Sequence, residues 1–296
     1  MSIPAMKTVR SFLFVPGNKA SMIEKAAGAK ADALILDLED SVPPDLKLEA
    51  RGIVASKLAW LADQGQRVYV RINRSPYLYD FDDILAVVGA HLEGVFISKP
   101  CGPEDVDCVG MLLAEAEYRK GMAIGSTRVV PLLETARSME LCFEIAQRER
   151  VVALVGATAK NADTARALGY VWSAEGREAL YFKSRVVMAA RAANKLAIGG
   201  LWQQVHDLEG LRTYVKRDRE LGMTGELLLH PSNVAAANEA FSPTADEVAY
   251  YRGMIEAHAK AQAAGRASCI YDGEHIDIAH VETAREIIAL AAMLGA

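Results

Sequence analysis

The sequence predicts an α/β fold, a (β/α)8 (TIM) barrel followed by a C-terminal helical extension. Three observations predict it. Apolar runs of strand length alternate with segments of helical composition. Run after run exits on a charged or polar side chain, and in a closed parallel barrel such exits converge on one mouth. The alternation ends near Phe241 after eight runs, close to the roughly 250 residues that such a barrel takes.

In order, the first run (12–15) exits into Pro16-Gly17-Asn18, and 19–28 reads as its helix. The second (33–36) exits into Asp37-Leu38-Glu39-Asp40 ahead of a helix over 46–64. The third (67–72) carries Arg71 and precedes a helix over 82–91, and the fourth (95–98) exits into Lys99-Pro100 before a helix over 104–119. The fifth (129–133) runs into Glu134 and a helix over 136–148. The sixth (151–155) opens a polar loop reaching Asp163, with helix over 162–168 and again over 175–194. Runs at 196–198 and 226–229 flank a helix over 207–221, which closes a predicted barrel domain of residues 1–241. Ser242-Pro243-Thr244 breaks the pattern. Ser242 or Thr244 can cap a helix over 245–264 that Gly265 ends. Tyr271-Asp272-Gly273 reads as a turn and 278–294 as the last helix. The segment 242–296, about 55 residues, is too short for a large core of its own. It is expected to pack on the barrel or on a neighbouring subunit.

A hydrophobic content of 51% with 24% charged residues is that of a soluble globular chain with a large core. The net charge of −5, without a basic patch carrying interleaved aromatics, argues against nucleic acid as a partner. Cys101, Cys108, Cys142 and Cys269 have no CxxC spacing and no nearby histidine, so they read as reduced thiols of a cytoplasmic protein. Met1-Ser2-Ile3-Pro4-Ala5-Met6-Lys7 lacks an apolar signal core, and no run reaches membrane-spanning length.

The exits carry chemistry. Glu134 and Asp163, at the ends of successive strands, can hold one hard divalent cation, since Mg²⁺ needs only one or two carboxylates. Ordinary helix-start acids would give the same pattern. Asp37, Glu39 and Asp40 cannot crowd a mouth unpaired, so cations such as Arg71, Lys99 or Lys47 must meet them. Arg71 offers a planar fork for a carboxylate or a developing oxyanion, and a structural ion pair with Asp37 or Glu39 is compatible with that. Lys99 reads as a paired cation more than as a Schiff-base lysine. His275 and His280 lack the HExxH signature and read as a surface pair, and His230 reads as a hydrogen-bonded core histidine. Gly156-Ala157-Thr158-Ala159-Lys160 lacks the order of a P-loop.

The motifs then resemble a known family. Arg10-Ser11-Phe12-Leu13-Phe14-Val15-Pro16-Gly17-Asn18, Leu36-Asp37-Leu38-Glu39-Asp40-Ser41-Val42, Val70-Arg71-Ile72-Asn73 and Leu133-Glu134-Thr135-Ala136 resemble the HpcH/HpaI aldolase and citrate lyase β-subunit family. So do His206-Asp207-Leu208-Glu209-Gly210-Leu211, His230-Pro231-Ser232, Asn238-Glu239-Ala240-Phe241-Ser242-Pro243 and Tyr271-Asp272-Gly273-Glu274-His275-Ile276-Asp277. The match spans nearly the whole chain and points to the CoA-ester lyase branch. It implies a (β/α)8 barrel that is trimeric or a multiple of it, uses Mg²⁺, and makes or breaks a carbon–carbon bond between an acyl-CoA and a small α-keto acid. By position, Glu134 matches the first metal carboxylate and Arg71 the substrate arginine. Asp277 matches a catalytic tail acid that reaches a neighbouring subunit's site. Counting back from Gly169 assigns Asp163 as the second metal ligand, with the longer loop absorbing the insertion; counting from Gly156 would give Ala159 instead. Glu39 and Asp40 are assigned to substrate binding, and Arg10 and Lys19 are candidates for the CoA moiety. Gly199-Gly200 departs from the Asp-Gly frequent in relatives, which bears on substrate identity.

The implied activity is Mg²⁺-dependent cleavage or formation of a β-hydroxyacyl-CoA such as malyl-CoA or citramalyl-CoA. Competing readings are a malyl-CoA thioesterase, a citrate lyase β subunit acting on a carrier-bound substrate, a metal-free aldolase, and a non-catalytic homologue with a degraded metal site.

Overall fold

The structure, a computed structural model, describes residues 8–295. The N-terminal heptapeptide read above as lacking a signal core lies outside the described residues. The parallel strands are β1 (Ser11–Pro16), β2 (Ala33–Asp37), β3 (Val68–Arg71), β4 (Gly94–Ile97), β5 (Arg128–Pro131), β6 (Ala153–Val155), β7 (Leu196–Gly199) and β8 (Gly225–Leu228). They pair in the order β5-β4-β3-β2-β1-β8-β7-β6. Parallel bridges Val129–Val151 and Leu132–Val155 join the two edges, so the sheet closes into the expected barrel. The intervening helices are α1 (Ala20–Ala26), α2 (Lys47–Asp63), α3 (Phe81–Val87), α4 (Pro103–Arg119), α5 (Ala136–Glu140) and α6 (Cys142–Ala146). They continue with α7 (Asp163–Leu168), α8 (Leu180–Ala192), α9 (Leu208–Leu221) and α10 (Val234–Ala240).

Every residue of β2 and β4 is buried, as expected of strands covered by helices outside and packed side chains inside. The inward positions follow the period of two. Phe12, Tyr69 and Phe96 meet edge to face, with centroids 5.3, 5.2 and 5.7 Å apart, and Ile35, Val130, Ile198 and Leu227 complete this interior layer. Two residues further on, Phe14, Asp37, Arg71 and Ser98 arrive at the carboxyl ends of their strands. The site is positioned by that step.

The amino ends carry a separate set of charges. Arg10, just before β1, is held by Asp32 through Nε at 2.9 Å and Nη2 at 2.7 Å. Glu93, before β4, accepts from Arg67, Tyr69 and Arg128. In a barrel of this kind, polar networks at that end serve stability. The sequence reading of one helix over 136–148 is corrected: it breaks at Leu141 into α5 and α6. Arg185 of α8 donates to the Glu140 carbonyl at 2.7 Å, taking an acceptor that a continuous helix would use internally.

The chain divides within α10 into two compact units, the first ending at Asn238 and the second beginning at Glu239. The second contains α11 (Ala245–Ala263), the hairpin β9 (Cys269–Tyr271) and β10 (Glu274–Ile276), and α12 (Ile278–Leu294). Thr244 and Glu247 form a capping box at the start of α11. Asp272 (φ 47°) and Gly273 (φ 80°) supply the two left-handed residues of a tight hairpin. Met254, Ile276 and Ala284 form its core, with Tyr250, Tyr251 and Tyr271 against them. The four cysteines are free thiols, and among the described residues no helix is long and apolar enough to cross a membrane.

Glu117 of α4 is fully buried and accepts five hydrogen bonds: from the amides of Gly125 and Thr127, each at 2.7 Å, from the Ser126 hydroxyl at 3.3 Å, and from Arg150 at 2.9 and 2.8 Å. Burial pushes its carboxyl up, but Arg150 and the amides outweigh that and hold it at about 2. A depressed carboxyl stabilises the fold above its ordinary value near 4.5, and that contribution is lost as pH falls toward 2. Glu117→Gln should cost about 3 kcal/mol, as expected when one partner of a buried pair is removed. It should also flatten the acid limb of the stability profile, which urea unfolding between these pH values would measure.

Candidate active site

Arg71 ends β3 and Asp37 ends β2, and the two are in register. Arg71 Nε and Nη2 donate to the two Asp37 carboxylate oxygens, each at 2.7 Å, while Nη1 lies 3.2 Å from Glu39 Oε2. The guanidinium lies over the Phe14 ring, 4.8 Å from its centroid. Burial alone would lower the Arg71 pKa, but Asp37 and Glu39 raise it, so the group stays a cation throughout the physiological range. Burial raises Asp37, and the bonds from Arg71, Ser41 and the Glu39 amide outweigh it and keep the carboxyl below its ordinary value. The structural ion pair anticipated for Arg71 is therefore present, and Nη1 faces Glu39.

Lys99 follows β4 with a left-handed φ of 51°. Its ammonium sits 2.9 Å from Glu39 Oε1, 3.0 Å from Asp40 Oδ2 and 3.5 Å from Asp163 Oδ2. Ser98 Oγ donates to the same Glu39 oxygen at 2.7 Å. Burial would lower the lysine, but Glu39, Asp40 and Glu134 raise it, the opposite of what an amine nucleophile requires. Lys47 Nζ donates to the Leu38 carbonyl at 2.7 Å and to that of Glu39, fixing the exit of β2.

A cavity of about 270 Å³ opens at this end of the barrel. Asp37, Ser41, Arg71 and Glu134 form its polar side, and Phe14, Leu132, Ala157, Leu201, Leu227 and Leu229 its apolar side. Glu134 follows β5, and its Oε2 is buried with no hydrogen-bond partner. Asp163 opens α7 and pairs with Arg166 through one oxygen, the other facing Lys99. Among the described residues no three His, Cys, Asp or Glu side chains are gathered into a metal cage. Mg²⁺ does not need one, because one or two carboxylates with water and substrate oxygens suffice. The undonated Glu134 oxygen, with the Asp163 carboxylate close enough to perturb its charge, fits a hard divalent cation.

Not every anticipated residue is brought here. Arg10 precedes β1 and so lies a strand's length, about 20 Å, from the mouth; its pairing with Asp32 removes it from any site at the carboxyl ends. Lys19 does follow the β1 exit and is exposed at the start of α1. Glu39 and Asp40 are engaged by Lys99 as described. Asp277 belongs to the second unit, whereas the residues lining the cavity all belong to the first. It is exposed and caps α12, accepting from the Ala279 amide at 3.0 Å and pairing with His280 Nδ1 at 2.8 Å, and His280 lowers its pKa. His230 is half-buried, caps the turn after β8 and meets His206 edge to face at 5.6 Å. The Gly199 departure does not line the cavity: a Cβ there would fall 2.1 Å from Asp218 Oδ2 and 2.7 Å from Glu226 Oε2, behind the barrel wall. Phe14, which the sequence offers with the loop after β1 as a CoA contact, lines the cavity beneath Arg71 instead. Sequence reasoning missed Ser98, Leu201 and Leu229. Strand parity would have found Ser98, whereas the leucines sit on loops and had no signal.

Burial is the main cause that pushes Glu134 up to about 7, Lys99 and Arg71 pulling it down and Glu39 and Asp163 pushing it further up. In chelator-treated protein, folded Glu134 keeps a proton that the unfolded chain releases between pH 4.5 and 7. Stability therefore falls as pH rises through that window. The fall should be on the order of 3 kcal/mol, at about 1.4 kcal/mol per pKa unit, and Glu134→Gln should abolish it in urea unfolding at the two ends of the window.

The chain is similar to known proteins over most of its length. A (3S)-malyl-CoA thioesterase of Cereibacter sphaeroides is 32% identical, over 97% of this chain and 96% of its own. An L-malyl-CoA/beta-methylmalyl-CoA lyase of the same species is 32% identical, over 99% and 98%. The crystal structure of the protein CitE from Mycobacterium tuberculosis in complex with magnesium and pyruvate superposes with a TM-score of 0.64 at 26% identity, over 80% of this chain and 92% of that one. The HpcH/HpaI aldolase/citrate lyase family pattern matches residues 10–231. The chain belongs to that family.

Proposed function

We propose that the protein is a Mg²⁺-dependent carbon–carbon lyase that cleaves, or forms, a β-hydroxyacyl-CoA such as malyl-CoA or citramalyl-CoA, with an acyl-CoA and an α-keto acid as the other side of the reaction. The observation that carries the reading is the undonated, buried Glu134 oxygen on the polar side of a cavity whose other side is apolar. The malyl-CoA enzymes among the relatives, and the magnesium and pyruvate bound by CitE, support it.

Glu134 and Asp163 would hold the metal. When bound, Mg²⁺ supplies positive charge that favours loss of the substrate's hydroxyl proton and polarises the keto oxygen that forms. Lys99 offsets the charge of Glu39, Asp40 and Asp163 beside an anionic substrate. As the bond breaks, its electron pair passes into the thioester as an enolate, and Arg71 Nη1 would stabilise the oxygen that takes up the charge. Asp37 holds the guanidinium in plane for that task, and Phe14 supports it from below. Asp277 of a neighbouring copy would remove the proton from the acyl-CoA in condensation; in cleavage the hydroxyl proton would pass to solvent, and Asp277 would take one proton from solvent and deliver it to the enolate carbon. Its lowered pKa leaves it a carboxylate at rest, the form that condensation needs.

The thioesterase relative keeps a second reading open at the same site, with water attacking the thioester. Malyl-, citramalyl- and citryl-thioesters, with and without Mg²⁺, separate the two when keto acid and free thiol are followed together. Metal-dependent glyoxylate or pyruvate without thiol is the expected result, and thiol with intact hydroxy acid would replace the lyase by a thioesterase. Neither product from metal-loaded protein would remove both readings in favour of a carrier-bound substrate or a non-catalytic role. Glu134→Ala should lose metal dependence. Asp277→Asn should bind Mg²⁺ and CoA normally yet lose about 10²- to 10⁴-fold in turnover, the usual contribution of a general acid or base.

A further inference from the structure

A second buried polar cluster lies behind the barrel wall, where α8 and α9 cover β7 and β8. Lys183 of α8 donates to both Asp218 oxygens, at 2.7 and 2.8 Å, and to the Tyr214 hydroxyl at 3.0 Å. The missing side chain at Gly199 leaves the space that Asp218 and Glu226 occupy. Glu226 is fully buried, and burial together with the charge of Asp218 raises its carboxyl so that it stays neutral. The cluster thus holds one cation and one anion.

Its reach is toward the mouth. The Tyr214 hydroxyl lies 2.9 Å from the Gly200 carbonyl and 3.2 Å from that of Thr158, so one phenol bridges the exits of β7 and β6. The same loops are joined by backbone bonds from the Thr158 amide to Gly200 and from the Leu201 amide to Thr158, the latter 3.3 Å. Beyond Thr158 the β6 exit leads directly to Asp163, and beyond Gly200 the β7 exit presents Leu201 to the cavity.

We propose that Tyr214 is a positioning residue: its hydroxyl, oriented by Lys183, sets the two exit loops and through them the placement of Asp163. The proposal rests on Asp163 being a metal carboxylate. Removing the hydroxyl is a local change. Gly200 keeps its bond from the Thr158 amide, Lys183 keeps Asp218, and the cavity of about 290 Å³ that Lys183 and Tyr214 line admits water to the vacated donor.

The experiment compares Tyr214→Phe with Val109→Ala, a fully buried α4 residue elsewhere in the fold. Hydrogen exchange is read over 157–163 and 200–203 in metal-free protein, and Mg²⁺ affinity by calorimetry. Tyr214→Phe should speed exchange in those two segments about ten-fold. It should weaken Mg²⁺ about ten-fold, the low end of what losing an outer support costs in metal affinity, with kcat at saturating Mg²⁺ little changed. Val109→Ala should lower the melting temperature without either effect. Unchanged exchange, unchanged Mg²⁺ affinity despite faster exchange, or the same changes in Val109→Ala would each overturn the proposal. If the wild-type protein binds no Mg²⁺, the metal reading of Glu134 and Asp163 fails on its own, and the exchange comparison still decides whether Tyr214 holds the loops.

Discussion

Closure of β5 onto β6 through the Val129–Val151 and Leu132–Val155 bridges is the constraint on which the rest depends. A parallel sheet left open would place the ends of β5 and β6 at opposite edges, with Glu134 and Asp163 far apart. Closed, it gives every strand an interior face and sends all carboxyl ends to one mouth. The period of two then decides which side chains meet there: Phe14, Asp37, Arg71 and Ser98 each stand two residues beyond an inward position. The two ends divide the labour. Charges at the amino ends, such as Glu93 with Arg67 and Arg128, pin the strands, while those at the carboxyl ends surround a cavity.

The mouth is short of positive charge. Asp37, Glu39, Asp40, Glu134 and Asp163 approach it, with Arg71 and Lys99 set among them, Lys47 beside the β2 exit and Arg166 on Asp163. Arg71 is largely committed to Asp37 and Lys99 to Glu39 and Asp40. Glu134 is left with little direct compensation, which is why burial can raise it so far. A divalent cation held as proposed would relieve that imbalance without further basic side chains.

The legible part of the sequence was the part governed by strand periodicity. The exits carrying Asp37, Arg71, Lys99 and Glu134 could be read because an apolar run fixes which residue follows it out of the barrel. Arg10 was misplaced because neighbours in a motif need not be neighbours in space: it precedes the strand whose far end forms the mouth. The break at Leu141 was hidden because its cause, the Arg185 side chain, comes from another helix. Glu117 was invisible for the same reason, its donors arriving from a turn and from Arg150. The leucines of the cavity wall depend on loop paths that no periodicity encodes.

The empty Cβ position at Gly199 also constrains how this chain can change over time. Asp218 and Glu226 stand where a side chain from 199 would go. An acid introduced at 199 is excluded while they remain, and a lone loss of Asp218 strips Lys183 of its bidentate anion. Passage between the two arrangements therefore requires linked substitutions at 199 and 218. Each single replacement is costly in this geometry, so the glycine is held in place by its neighbours.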